Sequence, residues 1–564
     1  MHKFSIFFLI ICILFSSEGL SQNLTLKIEA KNAFESSIID SIDYINSHKD
    51  LKSITNEVKK VQNTLLKLGY IENRVLETNK TNDTTFHYKI LLKTKFNSIY
   101  IYYDKTKILT SILNLVSNNI NDHYFLLEFQ EIENALNIIN TEISKKGFPF
   151  SKVSLSQLKI KNHTSLEAKL LTNQTTAKRT ISNIKVKGYE AFPKSYIRHF
   201  LKIKENQNFD IKTIRTKTEQ LYNLNFANEV KPPEVLFLKD STTLYLYLEK
   251  AISNTFDGFL GFGTNEETNK LEFDGYLNLN LINNLNYGES FNLQYKSDEN
   301  DQKTFEINTE LPYLFNSPIG VNLQLRIFKK DTSFTTVNQN IKLNYQINSK
   351  NKLFAGLTST ASNNLITNTT SLTISDYNSI QYNLAYQFTK PQYNNLLFPI
   401  HSRIYFETGI GHRTSTNKNE KQSQFLFEII KIINLSSKNS LFLKTSGNNL
   451  ISDTYFENEL LRFGGINSLR GFEENSLSAT FYGLINTEYR YQLNNSIYIH
   501  SIIDAGYFEN NIQATKEKLF GYGFGFAILT KSGLLKLNYA NGKNENTPFK
   551  LANSKLHISL TANF

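Results

Sequence analysis

The second half of the chain alternates between apolar and polar residues, and this pattern limits the fold more than any other feature. From Ala251 onward, stretches with an apolar residue at every second position recur, as in Phe291–Tyr295 and Val321–Ile327. A period of two with one apolar face is typical of β-strands. About sixteen such stretches have roughly the length that a tilted strand needs to cross a bilayer. Residues 251–564 are therefore predicted to form a transmembrane antiparallel β-barrel.

A secreted β-sandwich would alternate in the same way, but the number and length of the strands favour a barrel. An even number of strands closes a bacterial barrel without leaving a backbone edge in lipid. After residue 22, no stretch approaches the roughly 18 apolar residues of a spanning helix. The barrel is thus the form in which this chain is expected to cross a membrane.

The first residues predict export from the cytoplasm. Phe4–Phe15 is a mainly apolar run that follows Lys3 and precedes small and polar residues, as in a cleaved signal peptide. We assign residues 1–21 to this signal. Cys12, the only cysteine, lies within it, so the mature chain would have no disulfide. Lipid attachment at Cys12 is the weaker interpretation, because Ile11 stands where a small residue is preferred.

Residues 23–250 contain a threefold repeat in which a helical stretch is followed by Gly or Asn and then by an aromatic residue. Gly69, Gly147 and Asn225 mark these positions and are evenly spaced at 78 residues. Gly, and Asn as second choice, tolerate the left-handed conformation just past a helix end. Strand-like stretches follow, so each repeat is predicted to be a small α+β domain of order β-α-α-β-β.

The repeats resemble polypeptide-transport-associated (POTRA) domains, most clearly in the third copy. Its opening Val186–Tyr189 and its corner Leu221–Val230 match the pattern of that family. For the first copy, a generic α+β module is the alternative. The resemblance implies that these domains hold unfolded client chains, for which strand addition to an exposed sheet edge would be the physical means. The predicted domains are POTRA-like 22–93, 94–177 and 178–250, followed by the barrel 251–564.

A long segment between the eleventh and twelfth predicted strands carries the most specific motif. Within Asn448–Leu477, the residues Arg462–Phe472 read RFGGINSLRGF. A loop of this length is usually functional or disordered. The motif resembles the inward-folded sixth outer loop of the outer-membrane protein assembly and transport superfamily (bacterial surface antigen family). The resemblance extends over nearly the whole mature chain and includes both the translocation-and-assembly-module type and the β-barrel-assembly-machinery type.

This resemblance implies how the loop is held. The motif residues are Gly464, Gly465, Arg470, Gly471 and Phe472. Glu488 and Asp504 match wall positions whose acidic side chains face the lumen and contact the loop arginine in the superfamily. A guanidinium forks two hydrogen bonds to a carboxylate and stays charged at any relevant pH. We therefore predict that Arg470 pins the loop and braces the wall; the alternative is a solvated arginine on an external loop.

The first and last strands of the predicted barrel are also distinctive. The chain ends in an alternating stretch in which Leu560 and Phe564 resemble the C-terminal signal by which outer-membrane barrels are recognised for insertion. The first strand contains Gly258, Gly261 and Gly263, and glycine weakens strand pairing. Because these two strands must pair to close the barrel, we predict a loose seam, which in the superfamily is where clients enter.

Charge and side-chain chemistry argue against other classes of function. The formal net charge of +11 is spread along the chain without a basic stripe, so nucleic-acid binding is not expected. Gly521–Gly525 lies within a predicted strand with no helix after it, which is the wrong context for a nucleotide loop. His401 and Ser402 are adjacent on a strand and would point to opposite faces. We expect no enzyme, no cofactor and no metal site.

The sequence therefore predicts a factor that assembles or inserts outer-membrane proteins, with its N-terminal domains in the periplasm and its barrel in the outer membrane. Its partners would be unfolded outer-membrane or secreted client proteins and outer-membrane lipid, with periplasmic or lipoprotein accessory subunits as a further group. Two alternatives stay open. One is a secretion pore dedicated to a single partner, and the other is a passive solute channel, which would not need the repeats.

Overall fold

The computed structural model describes residues 23–173, 178–264, 271–297, 302–366, 373–392, 395, 397–416, 418–530, 533–545 and 554–563. The predicted signal 1–21 and the terminal Phe564 lie outside the described residues. The chain divides into two compact units. The first comprises Met1–Thr180 and Asn208–Ile211, and the second comprises Ile181–Gln207 and Lys212–Phe564.

The first domain of the first unit packs two helices on a four-stranded sheet. Its elements are β1 Leu24–Ala30, α1 Ala33–Asp40, β2 Ser47–His48, α2 Leu51–Lys67, β3 Arg74–Lys80 and β4 Thr85–Leu91, and the sheet order is β2-β1-β4-β3. Helix α2 begins at Asp50, whose carboxylate accepts a hydrogen bond from the Ser53 backbone N–H. Its apolar residues Val58, Val61 and Leu65 recur at spacings of three and four and are buried in the domain core.

The second domain repeats this arrangement. Its elements are β5 Ser98–Tyr102, α3 Thr110–Leu113, β6 Tyr124–Glu128, a 3₁₀ turn Phe129–Glu131, α4 Ile132–Lys145, β7 Lys152–Asn162 and β8 Ser165–Asn173, and the sheet order is β6-β5-β8-β7. Ile99, Phe125 and Ile139 are fully buried in its core. None of the helices in the described ranges is both long enough and apolar enough to cross a membrane.

The third domain lies in the second unit. Its elements are β9 Asn183–Gly188, a π-helical turn Tyr196–Phe200, α5 Ile211–Thr218, a 3₁₀ turn Glu219–Asn223, β10 Ala227–Phe237 and β11 Thr242–Lys250, and the sheet order is β10-β11-β9. It follows the predicted order β-α-α-β-β. The first two domains differ, because a short edge strand, β2 or β6, stands between their helices.

The repeated helix ends are left-handed in the first two domains only. Gly69 and Gly147 have φ angles of +101° and +99°. A Cβ at Gly69 would lie 2.1 Å from the carbonyl oxygen of Phe96, so a side chain is excluded there by space as well as by conformation. Asn225 was predicted to take the same role but is not left-handed. In the third domain the chain instead leaves the helix through the 3₁₀ turn, and Leu224 is already extended.

The remaining strands form the predicted barrel. Sixteen described strands close on themselves, each antiparallel to its neighbours. They are β12 Thr255–Thr264, β13 Leu271–Ile282, β14 Ser290–Ser297, β15 Gln302–Leu311, β16 Ile319–Lys330, β17 Phe334–Asn348, β18 Asn351–Asn364, β19 Tyr377–Pro391, β20 Ile400–Ser415, β21 Lys418–Asn434, β22 Asn439–Ile451, β25 Phe481–Gln492, β26 Ile497–Asn510, β27 Thr515–Thr530, β28 Gly533–Asn544 and β29 Ser554–Asn563. A small hairpin of β23 Leu461–Phe463 and β24 Leu477–Ala479 lies between β22 and β25.

Alternation along each strand separates the two faces of the barrel. On β19, Tyr382 and Leu384 are 62% and 63% exposed on the outside, whereas Gln381 and Asn383 between them are buried inside. Apolar side chains on the outer face suit contact with lipid, and amides inside can hydrogen-bond to one another. The predicted fold class is therefore confirmed.

The third domain packs against turns of the barrel within the second unit. The Tyr196 hydroxyl donates to the carbonyl of Gly288 at 3.0 Å, in the turn before β14. Its ring meets that of Tyr313 edge-on, with centroids 4.9 Å apart. The Tyr189 hydroxyl donates to Asn286 in the same turn, at 2.7 Å. Burial raises the pKa of Tyr196 well above its usual value, so the phenol stays a neutral donor.

Candidate functional site

The segment between β22 and β25 bears the predicted motif. It contains a 3₁₀ turn, Glu457–Glu459, and the β23–β24 hairpin. The motif glycines Gly464, Gly465 and Gly471 have φ angles of +109°, +94° and +91°. Residues other than glycine rarely adopt this left-handed backbone conformation, so the three positions require glycine. The Gly464 backbone N–H donates to the Ser468 hydroxyl at 2.7 Å, which closes the tight bend.

The structure brings Arg470 together with both predicted carboxylates. Its Nε and Nη2 atoms donate to the two oxygens of Asp504 at 2.8 and 2.6 Å, a bidentate contact. Its Nη1 atom donates to Glu488, and its backbone N–H also donates to Asp504 at 3.1 Å. All three residues are buried, with exposures of 5%, 7% and 2% for Arg470, Glu488 and Asp504. Asp504 and Glu488 lie on adjacent wall strands, so one guanidinium links the loop to both.

A second arginine, which the sequence did not assign, completes this ion network. Arg490 donates to the other oxygen of Glu488 through Nε at 2.7 Å. Its guanidinium carbon also lies 4.1 Å from the ring centroid of Phe442 and 4.6 Å from that of Phe398. Glu488 is thus shared between a loop arginine and a wall arginine. A spacing of two on one strand places Glu488 and Arg490 on the same face, and this is the signal that could have revealed the pair.

Glycines in the wall make room for the loop. A Cβ at Gly471 would lie 2.4 Å from the backbone nitrogen of Gly542 on β28. A Cβ at Gly521 on β27 would lie 2.3 Å from the carbonyl oxygen of Arg470. The loop backbone therefore runs directly along two wall strands. Gly521 belongs to the glycine-rich stretch that sequence analysis excluded as a nucleotide loop, and the approach of the loop explains it.

Apolar packing holds the same loop from the other side. Phe472 packs against a buried cluster that includes Phe463, Leu469 and Leu519. The Phe463 ring stacks on Tyr482 of β25 with centroids 4.6 Å apart. Leu469 is fully buried beside Arg470, so the ion pairs are shielded from water.

A further ion cluster at the base of the loop was missed by sequence analysis. Arg413 on β20 contacts both Glu420 on β21 and Glu459 in the loop, and it is 1% exposed. Its guanidinium carbon lies 4.1 Å from the Phe456 ring centroid. Because Arg413 and Glu459 are far apart in sequence and share no motif, only the folded wall brings them together. In the described part of the chain, no group of three or more His, Cys, Asp or Glu residues could hold a metal ion.

The seam between the first and last strands is short. Among the described residues, β12 and β29 pair only at Thr255 with Asn563 and at Phe256 with Ala562. By contrast, β12 pairs with β13 over ten positions and β29 pairs with β28 over nine. Gly258, two residues past Phe256, has a φ of +151° while β12 stays paired with β13 there. Gly261 and Gly263 lie further along β12, in register with Asp274 and Glu272 of β13.

The last strand exposes an apolar face to the outside of the barrel. Leu556, Ile558 and Leu560 are 63%, 59% and 45% exposed. Leu560 pairs in register with Leu535 of β28. Phe564, the other residue of the predicted C-terminal signal, lies outside the described residues.

Comparisons with known proteins agree with this architecture. A family described as "POTRA: Surface antigen variable number repeat" matches residues 179–250. CdiB from Escherichia coli aligns with a TM-score of 0.54 at 13% identity, over 90% of this chain and 98% of that one. CdiB from Acinetobacter baumannii aligns with a TM-score of 0.53 at 14% identity, over 83% and 90%.

The chain therefore shares the fold of these CdiB structures. A structure of BamA from Haemophilus ducreyi lacking POTRA domains 1–3 also aligns, with a TM-score of 0.49 at 15% identity, over 83% of this chain and 100% of that one. No curated protein matches the sequence.

Proposed function

We propose that this protein is an outer-membrane assembly factor. Its periplasmic domains would receive unfolded client proteins, and its barrel would pass them into the membrane at the β12–β29 seam. No cofactor or catalytic residue is needed, because a client gains free energy by pairing its backbone groups and burying its apolar face in lipid.

The two-pair seam carries this proposal. Beyond Phe256 and Ala562, the described parts of β12 and β29 are not paired with each other, although both remain extended. In lipid, an unpaired backbone N–H or carbonyl costs several kcal/mol, so a strand edge there favours any chain that can pair with it. A client strand could add to such an edge and grow into a new sheet, using main-chain hydrogen bonds that do not depend on its sequence.

Exposed sheet edges in the periplasmic domains fit the receiving role. Strand β7 forms one edge of the second domain and exposes Leu158 and Ile160 by 51% and 61%. Strand β10 forms one edge of the third domain and exposes Val230 by 61%. An extended, unfolded chain could pair with either edge and place alternate apolar side chains beside these residues.

A secretion pore dedicated to one partner is the second candidate. Two of the compared structures are CdiB proteins, which belong to two-partner secretion, and BamA belongs to assembly. All three likenesses are at the level of the fold, and both functions use POTRA domains with a barrel. The two candidates differ in the number of clients that each predicts, and that number can be measured.

Depletion of the protein followed by quantitative proteomics of the outer membrane tests the proposal. Broad loss of barrel proteins, restored by the intact gene, is the expected result. Loss of a single secreted protein would replace the proposal with the dedicated exporter. An unchanged outer-membrane and secreted proteome would contradict both and favour the solute channel. Depletion of an unrelated abundant barrel protein serves as the control for general envelope stress.

A further inference from the structure

The lumen loop carries a second arginine with very different surroundings from Arg470. Arg462 lies on β23, and its side chain lines a cavity of about 260 Å³ inside the barrel. The rest of the lining comes from wall strands β16 to β19, β21, β22 and β25 and from the segment Asn458–Leu461 of the loop. This cavity is separate from the Arg470 network, because Arg470, Glu488 and Asp504 do not line it.

Among the described residues, no carboxylate lies within 4.0 Å of Arg462, although Glu457 and Asp331 are near enough to attract it electrostatically. Ion pairs within 4.0 Å link Arg413, Arg470 and Arg490 to carboxylates, but none links Arg462 to one. Its Nη2 atom is buried and has no hydrogen-bond partner among the described residues. A guanidinium cannot lose its proton in a protein, so this donor stays charged and unused. Arg462 is half-buried, and a donor atom of a charged group that is withdrawn from water normally has a partner, so the unused Nη2 atom points to an anionic ligand.

A second positive charge lies beside it. The guanidinium carbon of Arg326, on β16, is 5.8 Å from the ring centroid of Phe328, and that of Arg462 is 5.3 Å from the same ring. Arg326 has one acidic neighbour, Glu306, with its closest oxygen 3.7 Å from Nε. That carboxylate also accepts a hydrogen bond from Gln324 at 2.7 Å. Two guanidinium groups thus lie beside one ring and one cavity, and neither has a close bidentate carboxylate among the described residues; Glu457, the acidic neighbour of Arg462, is itself paired with Lys330.

The rest of the cavity lining is mainly polar and uncharged, with Phe328 and three leucines as its apolar part. Amides and hydroxyls surround the two arginines, among them Asn338, Gln381, Thr360 and Tyr377. The single lining carboxylate in the described ranges is Glu459, and Arg413 and Gln422 already hold it. The cavity therefore combines a net positive charge with neutral hydrogen-bonding groups. Such a lining suits a small hydrophilic anion and does not suit an apolar or cationic ligand.

We propose that this cavity binds a phosphate group through Arg462 and Arg326. The planar fork of a guanidinium matches two oxygens of a phosphate, and two arginines can neutralise its double charge. The volume admits a free phosphate or a phosphorylated monosaccharide, whose hydroxyls would meet the amides and threonines. An occupied site would tie β23 of the loop to β16 on the opposite wall, in addition to the contacts of Arg470.

Binding to the intact, detergent-solubilised protein tests the proposal, with inorganic phosphate and glucose 1-phosphate as the two probes. Isothermal titration calorimetry should detect binding of at least one of them. Arg462→Gln should weaken that binding about tenfold or more, because a charge-assisted hydrogen-bond pair is lost. Tighter binding of glucose 1-phosphate would identify a sugar phosphate as the preferred form, and equal binding would identify the free ion.

Thermal unfolding separates a binding role from a merely structural one. Without phosphate, Arg462→Gln should melt at the same temperature as the parent or higher, since it removes a half-buried positive charge that has no carboxylate within 4.0 Å; a structural role requires it to melt lower. Phosphate should raise the melting temperature of the parent but not that of the variant. Arg326→Gln, on a wall strand, gives the same comparison if the loop variant does not fold. Arg403→Gln, outside the cavity, is the control. Absence of binding of both inorganic phosphate and glucose 1-phosphate by the parent would overturn the proposal.

Discussion

The last strand of the barrel has two very different edges. On one side, β29 pairs with β28 over nine residues, and β28 in turn lies under the lumen loop, where Gly542 meets Gly471. On the other side, β29 pairs with β12 at two positions. The last strand is therefore paired extensively with a wall that the loop stabilises, and only sparsely with the first strand. Extensive pairing and loop contacts on one side of β29 can hold the barrel closed. The other side of β29 can therefore remain largely unpaired without loss of the barrel's shape.

Locking the weak edge should have the largest effect on function. Cysteines at Phe256 and Ala562, which are partners in register, would join β12 to β29 when oxidised. If clients enter at this seam, the oxidised protein should lose nearly all client insertion in proteoliposomes, and reduction should restore it. The matched control places cysteines at Leu537 and Ile558, which are partners on the strong edge. Full activity of the oxidised seam variant would exclude entry between these strands.

Removing the brace should give the largest effect on stability. Arg470→Ala leaves Glu488 and Asp504 buried with fewer partners, and removal of one member of a buried ion network costs about 3–5 kcal/mol. Unfolding in urea, followed by the heat-dependent gel shift of the barrel, measures the loss. Arg470→Lys should retain part of the stability, because it keeps the charge but loses the bidentate geometry. A variant as stable as the parent would show that the loop does not brace the wall.

Close approach of the loop to the wall can be tested separately from charge. Gly542→Ala places a methyl group 2.6 Å from the carbonyl oxygen of Gly471, and overpacking of this kind costs about 1–3 kcal/mol. The same urea titration should show this loss. Gly483→Ala on β25 is the control, because the nearest atom to its new methyl lies at 3.9 Å. Equal stability of the two variants would argue against tight contact.

The smallest effect is expected where the third domain meets the barrel. Tyr196→Phe keeps the ring but removes the hydrogen bond to Gly288, which should cost about 0.5–1.5 kcal/mol. Limited proteolysis of the third domain in the intact protein would report the weaker docking as faster cleavage. Tyr245→Phe, a half-buried tyrosine on β11 of the same domain, should leave the cleavage rate unchanged. Faster cleavage in both variants would mean that the substitutions destabilise the third domain itself, and not that they weaken its contact with the barrel.

The sequence predicted those parts of the molecule that depend on a local pattern. Alternation of period two identified the barrel. The RFGGINSLRGF motif carried the resemblance that implied the contact of Arg470 with Glu488 and Asp504, and the structure places the three together. Left-handed glycines at the ends of helices were predicted correctly in two repeats. In the third repeat, Asn225 failed because the helix ends in a 3₁₀ turn.

Features that depend on the register between distant strands could not be read from the sequence. Gly521 and Gly542 leave room for the loop backbone, which passes directly over them. The residues around these glycines in the sequence contain no pattern that predicts where the loop runs. Arg413 meets Glu459 only after β20 and the loop have been brought together. The glycines of β12 predicted weak pairing with the last strand. The number of residue pairs between β12 and β29, however, depends on the register of all sixteen strands in the closed barrel.

The tyrosine contacts below the barrel have a mechanical consequence. Tyr189 and Tyr196 hold the turn between β13 and β14, which is one hairpin away from the free edge of β12. Further contacts of the same domain reach Tyr313 and Asn316 before β16 and Ile347 at the end of β17. A tilt of the third domain would therefore act on the strands from β13 to β17, on the β12 side of the cylinder, and not on the strands β25 to β28 that the loop braces.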